Sequence, residues 1–331
     1  MTRVADLVEL VRAPAALSVP GDVVAGAAAA GALGPRTPAL AASSVLLYWA
    51  GMAANDWADR RLDAVERPQR PIPSGRVSPG LAVGLAVGLT AAGVGLATAA
   101  GGRRAAAVAL PLATAIWGYD LAAKNTAAGP AVMAACRGLD VLLGAAAGRP
   151  ARALPAALTV AAHTWTVTAL SRREVHGADS ALPLRTLAGT ALVTASAALP
   201  ARPRRRIGPA AVGRPGDSTA VGRPGGSASV RTGRADPGGR PGAGRRAIGA
   251  VAVALPAVLA GWYAARYGGA QARVVARPDA GRVRAAVGAG ITGLPALQGA
   301  LTARAGSGLL GLAVAAAAPL GRRLARKVSP T

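Results

Sequence analysis

Cysteine, phenylalanine and acidic residues are scarce in this 331-residue chain. It contains one cysteine, no phenylalanine, and 14 Asp plus Glu against 38 Lys plus Arg. A single cysteine excludes an internal disulfide and a zinc site built from several thiolates, so a bound metal would use oxygen ligands. Charged residues make up 16% of the chain, against the usual quarter, while 52% are hydrophobic. The composition therefore favours a protein that lies in lipid.

The formal net charge of +24 would indicate nucleic-acid binding in a soluble chain, because arginine clusters neutralise phosphates. The charge is concentrated, since residues 202–246 hold eleven Arg and two Asp among Arg-Pro-Gly and Gly-Arg repeats. This segment has too few large apolar side chains to build a core, so we interpret it as a disordered linker, with contact to anionic lipid headgroups as an alternative role. It separates residues 1–201 from residues 247–331, and we predict no nucleic-acid partner.

Apolar runs of membrane-spanning length fill most of the remaining chain. A hydrocarbon core of about 30 Å is crossed by roughly 17 to 25 helical residues. Suitable runs lie near 14–35, 38–54, 80–102, 105–119, 127–148, 153–171 and 186–201, and after the linker near 247–265, 284–303 and 305–321. We predict an all-α, polytopic transmembrane helix bundle of about nine spans, because Pro295 weakens the run around it. The alternating ten-residue segments of a β-barrel are absent from the sequence.

The ends of these runs predict how the chain meets the membrane. Val4, Leu7, Val8 and Val11 recur at helical spacing, so we expect an amphipathic helix lying on the membrane surface rather than a cleaved signal. Five arginines occur between residues 60 and 76, and short basic loops favour the cytoplasm. We therefore predict a multi-pass protein of a bacterial plasma membrane, with its active-site loops cytoplasmic.

The segment after the second run carries the strongest chemical signal. Asp56, Asp59 and Asp63 stand at i, i+3 and i+7, so a helix places three carboxylates on one face, with Asn55 beside them. Unpaired carboxylates repel one another, whereas clustered hard oxygens are the ligands that Mg²⁺ prefers. The alternative is a solvated face balanced by neighbouring arginines.

Two arginines close to this trio favour a phosphorylated ligand. Arg67 and Arg70 follow shortly after it, and guanidinium groups bind phosphate oxygens through paired hydrogen bonds. Mg²⁺ usually keeps several waters and uses a few carboxylates to hold substrate phosphates. The residues together predict a diphosphate bridged by metal.

The run from Asn55 to Arg76 resembles the first aspartate-rich signature of the UbiA superfamily of intramembrane prenyltransferases. That signature reads N-D-x-x-D-x-x-x-D and is followed by an R-P-x-x-S-G-R-like segment. The run Gly118-Tyr119-Asp120 and Lys124 is similar to the family's Tyr and Lys positions. Within the family, the sequence resembles the actinobacterial branch related to ebo-cluster proteins. The resemblance implies a UbiA-like fold with a cavity open to the bilayer, in which an isoprenyl diphosphate binds and gives its prenyl group to a lipophilic acceptor.

The family's second aspartate-rich motif corresponds here to the segment 171–179, which departs from the pattern. Glu174 can replace one ligand carboxylate, but Ala178 stands where a second is expected. Asp179 is displaced by one residue, about 100° around a helix. This departure keeps an alternative open, a non-catalytic UbiA-like membrane protein that binds or handles a lipophilic metabolite.

The resemblance implies roles residue by residue. Catalytic roles fall to Asp56, Asp59, Asp63 and Glu174, and the Mg²⁺ ligands are these four with Asn55. Substrate-binding roles fall to Asn55, Arg67, Arg70, Tyr119, Lys124, Arg173, His176 and Asp179.

Other polar residues lie inside the predicted spans. Arg137 and Asp140 stand at i and i+3, which predicts an intramembrane ion pair or a cavity lining. His163 is expected to be a packed polar residue, and Cys136 an inert one.

Overall fold

The computed structural model describes residues 2–179, 181–199 and 243–317. Every regular element in these ranges is helical, which confirms the predicted all-α fold for this part of the chain. The helices are α1 (Val4–Leu10), α2 (Val19–Ala30), α3 (Thr37–Glu66), α4 (Pro79–Gly118), α5 (Gly129–Ala145), α6 (Pro150–Ser171), α7 (Ala181–Ala198), α8 (Ala243–Tyr263), α9 (Gly269–Ala276), α10 (Ala280–Arg304) and α11 (Gly308–Ala317). Of the predicted linker, only residues 243–246 are described, and they belong to α8.

Among the described residues, three helical segments are long and apolar enough to cross a membrane. They are Thr37–Glu66, Pro79–Ala123 and Pro150–Ser171. α2 and α11 are shorter apolar helices. These segments support a membrane-embedded bundle, while the count of nine or ten spans stays a prediction.

α4 consists of two helical arms that meet at Gly102. This residue has φ 65° and ψ −157°, a conformation that glycine adopts because it has no Cβ. The Nε1 atom of Trp117 donates to the Oγ1 atom of Thr90 at 3.0 Å, so residues from the two arms lie side by side. The arms therefore run antiparallel, and they correspond to the predicted runs 80–102 and 105–119.

Small residues let α3 lie against both arms of α4. Ser43 Oγ donates to the Gly93 carbonyl at 2.7 Å, and a side chain at position 93 would overlap Leu47. Gly51 faces Ile116 of the second arm equally closely. Close backbone approach through small residues is typical of membrane helices, because lipid offers no hydrophobic drive for association.

α2 and α5 are in still closer contact. A Cβ at Gly26 would overlap the carbonyl oxygen of Val141, and a Cβ at Gly144 would overlap that of Val23. The two backbones therefore touch over about one helical turn. α2 also packs on α3, α6 and α10, so it lies at the centre of the bundle.

Five buried polar residues meet around α2, and we call them the interior cluster: Asp22, Ser44, Arg137, Asp140 and Gln298. The predicted Arg137–Asp140 pair is wrong, because no ion pair within 4 Å joins these two described residues. Arg137 Nε lies instead 2.8 Å from Asp22 Oδ2, and Ser44 hydrogen-bonds Asp140. Gln298 Nε2 donates to Asp22 Oδ1 at 2.6 Å. Arg137 points from α5 toward α2, and Asp140 points toward α3. The packing of α5 against these two helices therefore determines which partner each side chain contacts.

The carboxyl-terminal half has its own core, built from α6, α7, α8 and α10. Its largest side chains are Tyr263 and Tyr267, which are fully buried. His163 lies against both rings, and its Nδ1 atom is 2.8 Å from the Tyr263 hydroxyl. His163 is thus a packed polar residue, as predicted.

Candidate active site

α3 continues beyond the predicted second span to Glu66 and so carries the aspartates to one end of the bundle. Asp56 and Asp63 are nearly buried, at 4% and 2% exposure, while Asp59 is half-buried. Arg70 Nη1 lies 3.3 Å from Asp56 Oδ1 and 2.7 Å from Asp63 Oδ2. One guanidinium therefore bridges the first and the last carboxylate of the trio.

The middle carboxylate faces the turn that follows α4. Lys124 Nζ lies 2.6 Å from Asp59 Oδ1, and Asn55 Nδ2 donates to Asp120 Oδ1 at 3.1 Å. Asp120 is buried in a single π-helical turn, Tyr119–Ala123, a local irregularity that often occurs at functional sites. Asp120 thus adds a fourth carboxylate that the sequence assignment omitted, although it lies in the run singled out for its tyrosine.

Arg12 brings a third cation to these carboxylates. Its Nη2 atom lies 2.6 Å from Asp56 Oδ1. The predicted amphipathic helix is present as α1, but Leu10 is fully buried against protein, so α1 folds back onto the bundle. Sequence reasoning missed Arg12 because no local spacing connects it to a residue 44 positions away.

The loop between α3 and α4 covers the aspartates. Its residues Ile72 and Val77 are buried against α3 and α4. Ser74 Oγ donates to the Arg70 carbonyl at 2.7 Å, which fixes the backbone that carries the bridging guanidinium. Arg67 is half exposed and lies 3.7 Å from Asp63 Oδ1, a looser contact. Of the two predicted arginines, Arg70 therefore lies directly on the carboxylates.

Arg76 at the end of this loop fastens α1 in place. Its Nη1 atom lies 2.7 Å from both Asp6 Oδ1 and Glu9 Oε2, and its Nη2 atom donates to the Gln69 carbonyl at 2.8 Å. The backbone N–H of Arg3 and the Arg76 guanidinium hold the pKa of Asp6 below its ordinary value. α1 is thus attached to the loop by charge as well as by apolar contact.

A small, largely apolar cleft of about 40 Å³ begins at Asp120. Its lining includes Tyr48, Met52, Ile116, Tyr119, Met133 and Cys136. The predicted substrate residue Tyr119 therefore lies in the cleft wall, next to the polar end. Charged side chains next to an apolar cleft suit a ligand in which a charged head is joined to a hydrocarbon tail.

The second motif forms the connection between α6 and α7. Arg172 hydrogen-bonds the Thr126 carbonyl in the loop after the π-helical turn, so this connection lies at the same end of the bundle. Glu174 is half-buried, and burial raises the pKa of its carboxyl group. Its backbone carbonyl accepts from Arg284 Nη1 at 2.9 Å.

The remaining residues of this motif serve the connection itself. Asp179 Oδ1 accepts the backbone N–H of Leu182 at 3.0 Å at the start of α7, and Arg173 lies 3.9 Å from the other Asp179 oxygen. His176 is exposed. Within the described ranges, no hydrogen bond or ion pair joins this motif to the aspartates of α3, so the structure does not bring the two predicted halves into contact.

The first motif brings two carboxylates, those of Asp56 and Asp63, close enough together to bind one metal ion jointly with a ligand. In the part of the chain that the structure describes, no three acidic, His or Cys side chains are close enough to hold a metal by themselves. Asp56 and Asp63 are close enough to share one guanidinium, and Mg²⁺ commonly uses one or two carboxylates together with substrate phosphates. This donor set therefore fits Mg²⁺ bound jointly with a diphosphate.

We call this arrangement the carboxylate mouth. It comprises Asn55, Asp56, Asp59, Asp63 and Asp120, with the cations Arg12, Arg70 and Lys124.

Known sequences match the part of the chain that contains the carboxylate mouth. The model of the UbiA prenyltransferase family matches residues 18–199. A digeranylgeranylglyceryl phosphate synthase of Methanopyrus kandleri is 40% identical over 139 residues, 41% of this chain and 51% of the relative. The bacteriochlorophyll synthase 33 kDa chain of Rhodobacter capsulatus is 69% identical over 29 residues, 9% of each protein. The chain thus spans about half the length, or less, of these relatives.

Two solved structures share the overall fold. One comes from work on digeranylgeranylglyceryl phosphate synthase in membranes and has a TM-score of 0.59 at 13% sequence identity. The matched region covers 91% of this chain and 97% of the chain in that structure. The other, a UbiA homolog from Aeropyrum pernix K1 in its apo form, has a TM-score of 0.56 at 17% identity, covering 89% and 96%. At these identities the likeness establishes the fold alone.

Proposed function

Because the chain belongs to the UbiA prenyltransferase family, whose model spans more than half of its length, we propose that it is a Mg²⁺-dependent intramembrane prenyltransferase. It moves an isoprenyl group from an isoprenyl diphosphate to a lipophilic acceptor. The observation that carries the proposal is the carboxylate mouth, where acidic and basic side chains meet above an apolar cleft in a membrane bundle. The charged head of such a donor suits the carboxylate mouth, and its hydrocarbon tail suits the apolar cleft and the surrounding lipid.

The carboxylates are assigned to the metal. Asp56 and Asp63 would hold Mg²⁺ together with the donor phosphates, and Asn55 and Asp59 would add further oxygen ligands. Mg²⁺ held there would supply positive charge to the leaving diphosphate. Asp120, hydrogen-bonded to Asn55, keeps that amide turned toward the mouth.

The cations are assigned to the diphosphate. Arg70 and Lys124 now contact carboxylates, and both donate to phosphate oxygens once the donor is bound, because charge-assisted bonds from these groups suit phosphate. Arg67 adds a half-exposed charge at the rim. Tyr119 lies where the head and the tail of the donor meet.

The reaction exchanges one bond for another. The bond between the allylic carbon and the diphosphate oxygen breaks, and the diphosphate leaves with the electron pair. The nucleophilic atom of the acceptor bonds to the same carbon and loses its proton to an oxygen of the departing diphosphate. The apolar lining of the cleft keeps water away from the reacting carbon, which limits hydrolysis of the donor.

The acceptor is assigned to the side of the α6–α7 connection. Roles there for Glu174, Arg173, His176 and Asp179 rest on the family resemblance, since their observed bonds serve the connection itself. We place the mouth on the cytoplasmic face of a bacterial plasma membrane, because the adjacent short loops are rich in arginine.

The test is donor turnover by the purified full-length chain in lipid nanodiscs. Farnesyl and geranylgeranyl diphosphates are supplied with a panel of lipophilic acceptors that includes geranylgeranylglyceryl phosphate, and diphosphate release is measured with and without Mg²⁺. We expect Mg²⁺-dependent release by the wild type and loss of release by Asp56→Ala and Asp59→Ala. Arg60→Ala is the matched control, because Arg60 bonds to Trp57 on its own helix. Equal behaviour of the wild type and both aspartate variants would overturn the proposal.

The second candidate function is non-catalytic handling of a lipophilic metabolite. It is favoured by the second motif, where Ala178 replaces a carboxylate and no described contact reaches α3. Under this alternative, the nanodisc protein would bind a lipophilic ligand with equal affinity in the presence and absence of Mg²⁺ and would release no diphosphate from any donor.

A further inference from the structure

Arg12 stands out for its backbone. With φ 45° and ψ 51°, it is the only non-glycine residue with positive φ among the described residues. For an L-residue this conformation is unfavourable, because the Cβ comes too close to the following carbonyl oxygen. Such strain persists only where the surrounding structure fixes it, and it concentrates at functional sites.

The strain is fixed by the segment 2–12, which we call the N-terminal strap. The Arg76 guanidinium holds the strap through Asp6 and Glu9, and Thr2 Oγ1 donates to the Arg76 carbonyl at 2.9 Å. Leu10 is buried without any exposure. With α1 attached on one side and α2 packed in the bundle on the other, the chain must reverse at Arg12, and the reversal aims its side chain at Asp56.

The contact with Asp56 leaves most of the guanidinium free to act. The Arg12 side chain is 38% exposed, against 5% for Asp56, so Arg12 approaches the carboxylate from its open side. A guanidinium has five N–H donors, and among the described residues Arg12 makes a side-chain hydrogen bond through Nη2 alone. The remaining donors make no hydrogen bond to the described residues, and the side chain is partly exposed.

We propose that Arg12 is a diphosphate-binding residue that the strap delivers to the carboxylate mouth. This inference rests on the proposed function and adds a residue that neither the family motif nor the sequence assigned. Without ligand, Arg12 neutralises Asp56. With the donor bound, Arg12 turns to phosphate oxygens, which a planar guanidinium can bind in pairs, and Asp56 is released for Mg²⁺.

The exchange predicts two effects of opposite sign for Arg12→Ala. Binding of inorganic pyrophosphate in the presence of Mn²⁺ should weaken by about tenfold or more, the usual effect of losing a hydrogen bond to a charged group. Binding of Mn²⁺ alone should tighten, because Asp56 has lost a competing cation. A guanidinium that only supports the fold would not produce this pair of shifts.

The experiment uses the full-length protein in nanodiscs, with Mn²⁺ followed by electron paramagnetic resonance and pyrophosphate by calorimetry. Arg12→Lys keeps the charge without the planar fork and should show intermediate pyrophosphate affinity. Arg60→Ala is the control and should match the wild type in both measurements. Arg76→Ala should weaken pyrophosphate binding less than Arg12→Ala while exposing the strap to protease, because it releases α1 without removing Arg12.

The outcomes separate this inference from the proposed function. If the wild type fails to bind pyrophosphate with Mn²⁺, the proposed function fails and Arg12 loses its ligand. If the wild type binds and Arg12→Ala and Arg12→Lys bind equally well, the function stands and the role of Arg12 is overturned. Should Arg12→Ala unfold, Arg12→Lys decides alone, since unchanged affinity in that variant would contradict paired contact with phosphate.

Discussion

The chain has two polar centres made from the same side chains, and they differ in exposure and in charge balance. At the carboxylate mouth, Asp56, Asp59 and Asp63 each contact a cation, and Arg12 and Lys124 remain partly exposed. In the interior cluster, Asp22 and Asp140 are fully buried, and the one guanidinium, that of Arg137, forms an ion pair with Asp22 but not with Asp140. Asp140 Oδ2 and the nearby Tyr48 hydroxyl have no hydrogen-bond partner among the described residues.

The difference teaches which ion pairs can be exchanged. At the mouth, Arg12 and Lys124 are partly exposed, so these cations can leave their carboxylates beside water at little cost. The same exchange in the interior would leave an uncompensated charge in a medium of low dielectric, at a cost of several kcal/mol. We infer that the mouth can give up its internal cations to a ligand, whereas the interior cluster fixes the helices.

The sharpest way to break this contrast is to remove the interior cation. Arg137→Leu should lower the free energy of unfolding by about 3–5 kcal/mol, because it leaves Asp22 buried without its ion-pair partner. Unfolding in detergent, followed by intrinsic Trp fluorescence, measures the loss. The triple variant Asp22→Asn, Arg137→Leu, Asp140→Asn should recover most of it, and a failure to recover would mean that shape rather than charge is lost.

Separating the helices that carry the interior pair should have the next largest effect. Gly26→Ala forces α2 away from the Val141 carbonyl and should cost about 1–3 kcal/mol of unfolding free energy, with donor affinity at the mouth retained by the folded protein. Gly88→Ala on α4 is the matched control, because that position faces open space and should be neutral or slightly stabilising. Equal losses in both variants would contradict close α2–α5 contact.

At the mouth, removal of one cation should reduce activity strongly and stability only slightly. Lys124→Ala should lower kcat/KM for the isoprenyl diphosphate by about tenfold or more, since a charged hydrogen bond to phosphate is lost. The free energy of unfolding should change by about 1 kcal/mol or less, because Asp59 is 26% exposed and can be hydrated. A destabilisation as large as that of Arg137→Leu would abolish the distinction between the two centres.

The smallest effect is expected at the strap, where acid should loosen α1. The pKa of Asp6 is lowered in the folded chain, so its contribution is fully present above the ordinary value of 3.8 and is lost as the pH falls through the folded value. Hydrogen exchange of the α1 amides should therefore speed up at acid pH. In Asp6→Asn it should already be fast at neutral pH and change little with acidification; a wild-type-like profile would show that Glu9 alone holds the strap.

The features that could be predicted from the sequence are those that depend on local periodicity. The apolar runs gave the helical bundle, and the spacing of Asp56, Asp59 and Asp63 placed them on one helix near Arg70, as observed. The same local reasoning failed for Arg137 and Asp140, because i and i+3 residues on a buried helix can face different neighbours.

Contacts between distant segments were beyond such reasoning. Arg12 and Asp120 reach the mouth only after α1 folds back and the two arms of α4 run antiparallel. The second motif was a different case. Its residues were named from the resemblance, but Ala178 and the capping role of Asp179 give no geometric link to α3, so those assignments stay predictions.

The reversal at Gly102 has a consequence for membrane insertion. As one straight helix, the 40 residues of α4 would be about 60 Å long, at about 1.5 Å per residue, against a hydrocarbon thickness of about 30 Å. In the predicted span pattern, the glycine divides this stretch into two crossings and so sets the parity of every later segment. With one crossing fewer, Asp120 and Lys124 would emerge on the opposite side of the bilayer from Asn55 and Asp59. A residue with no side chain thereby decides whether the two halves of the mouth can ever meet.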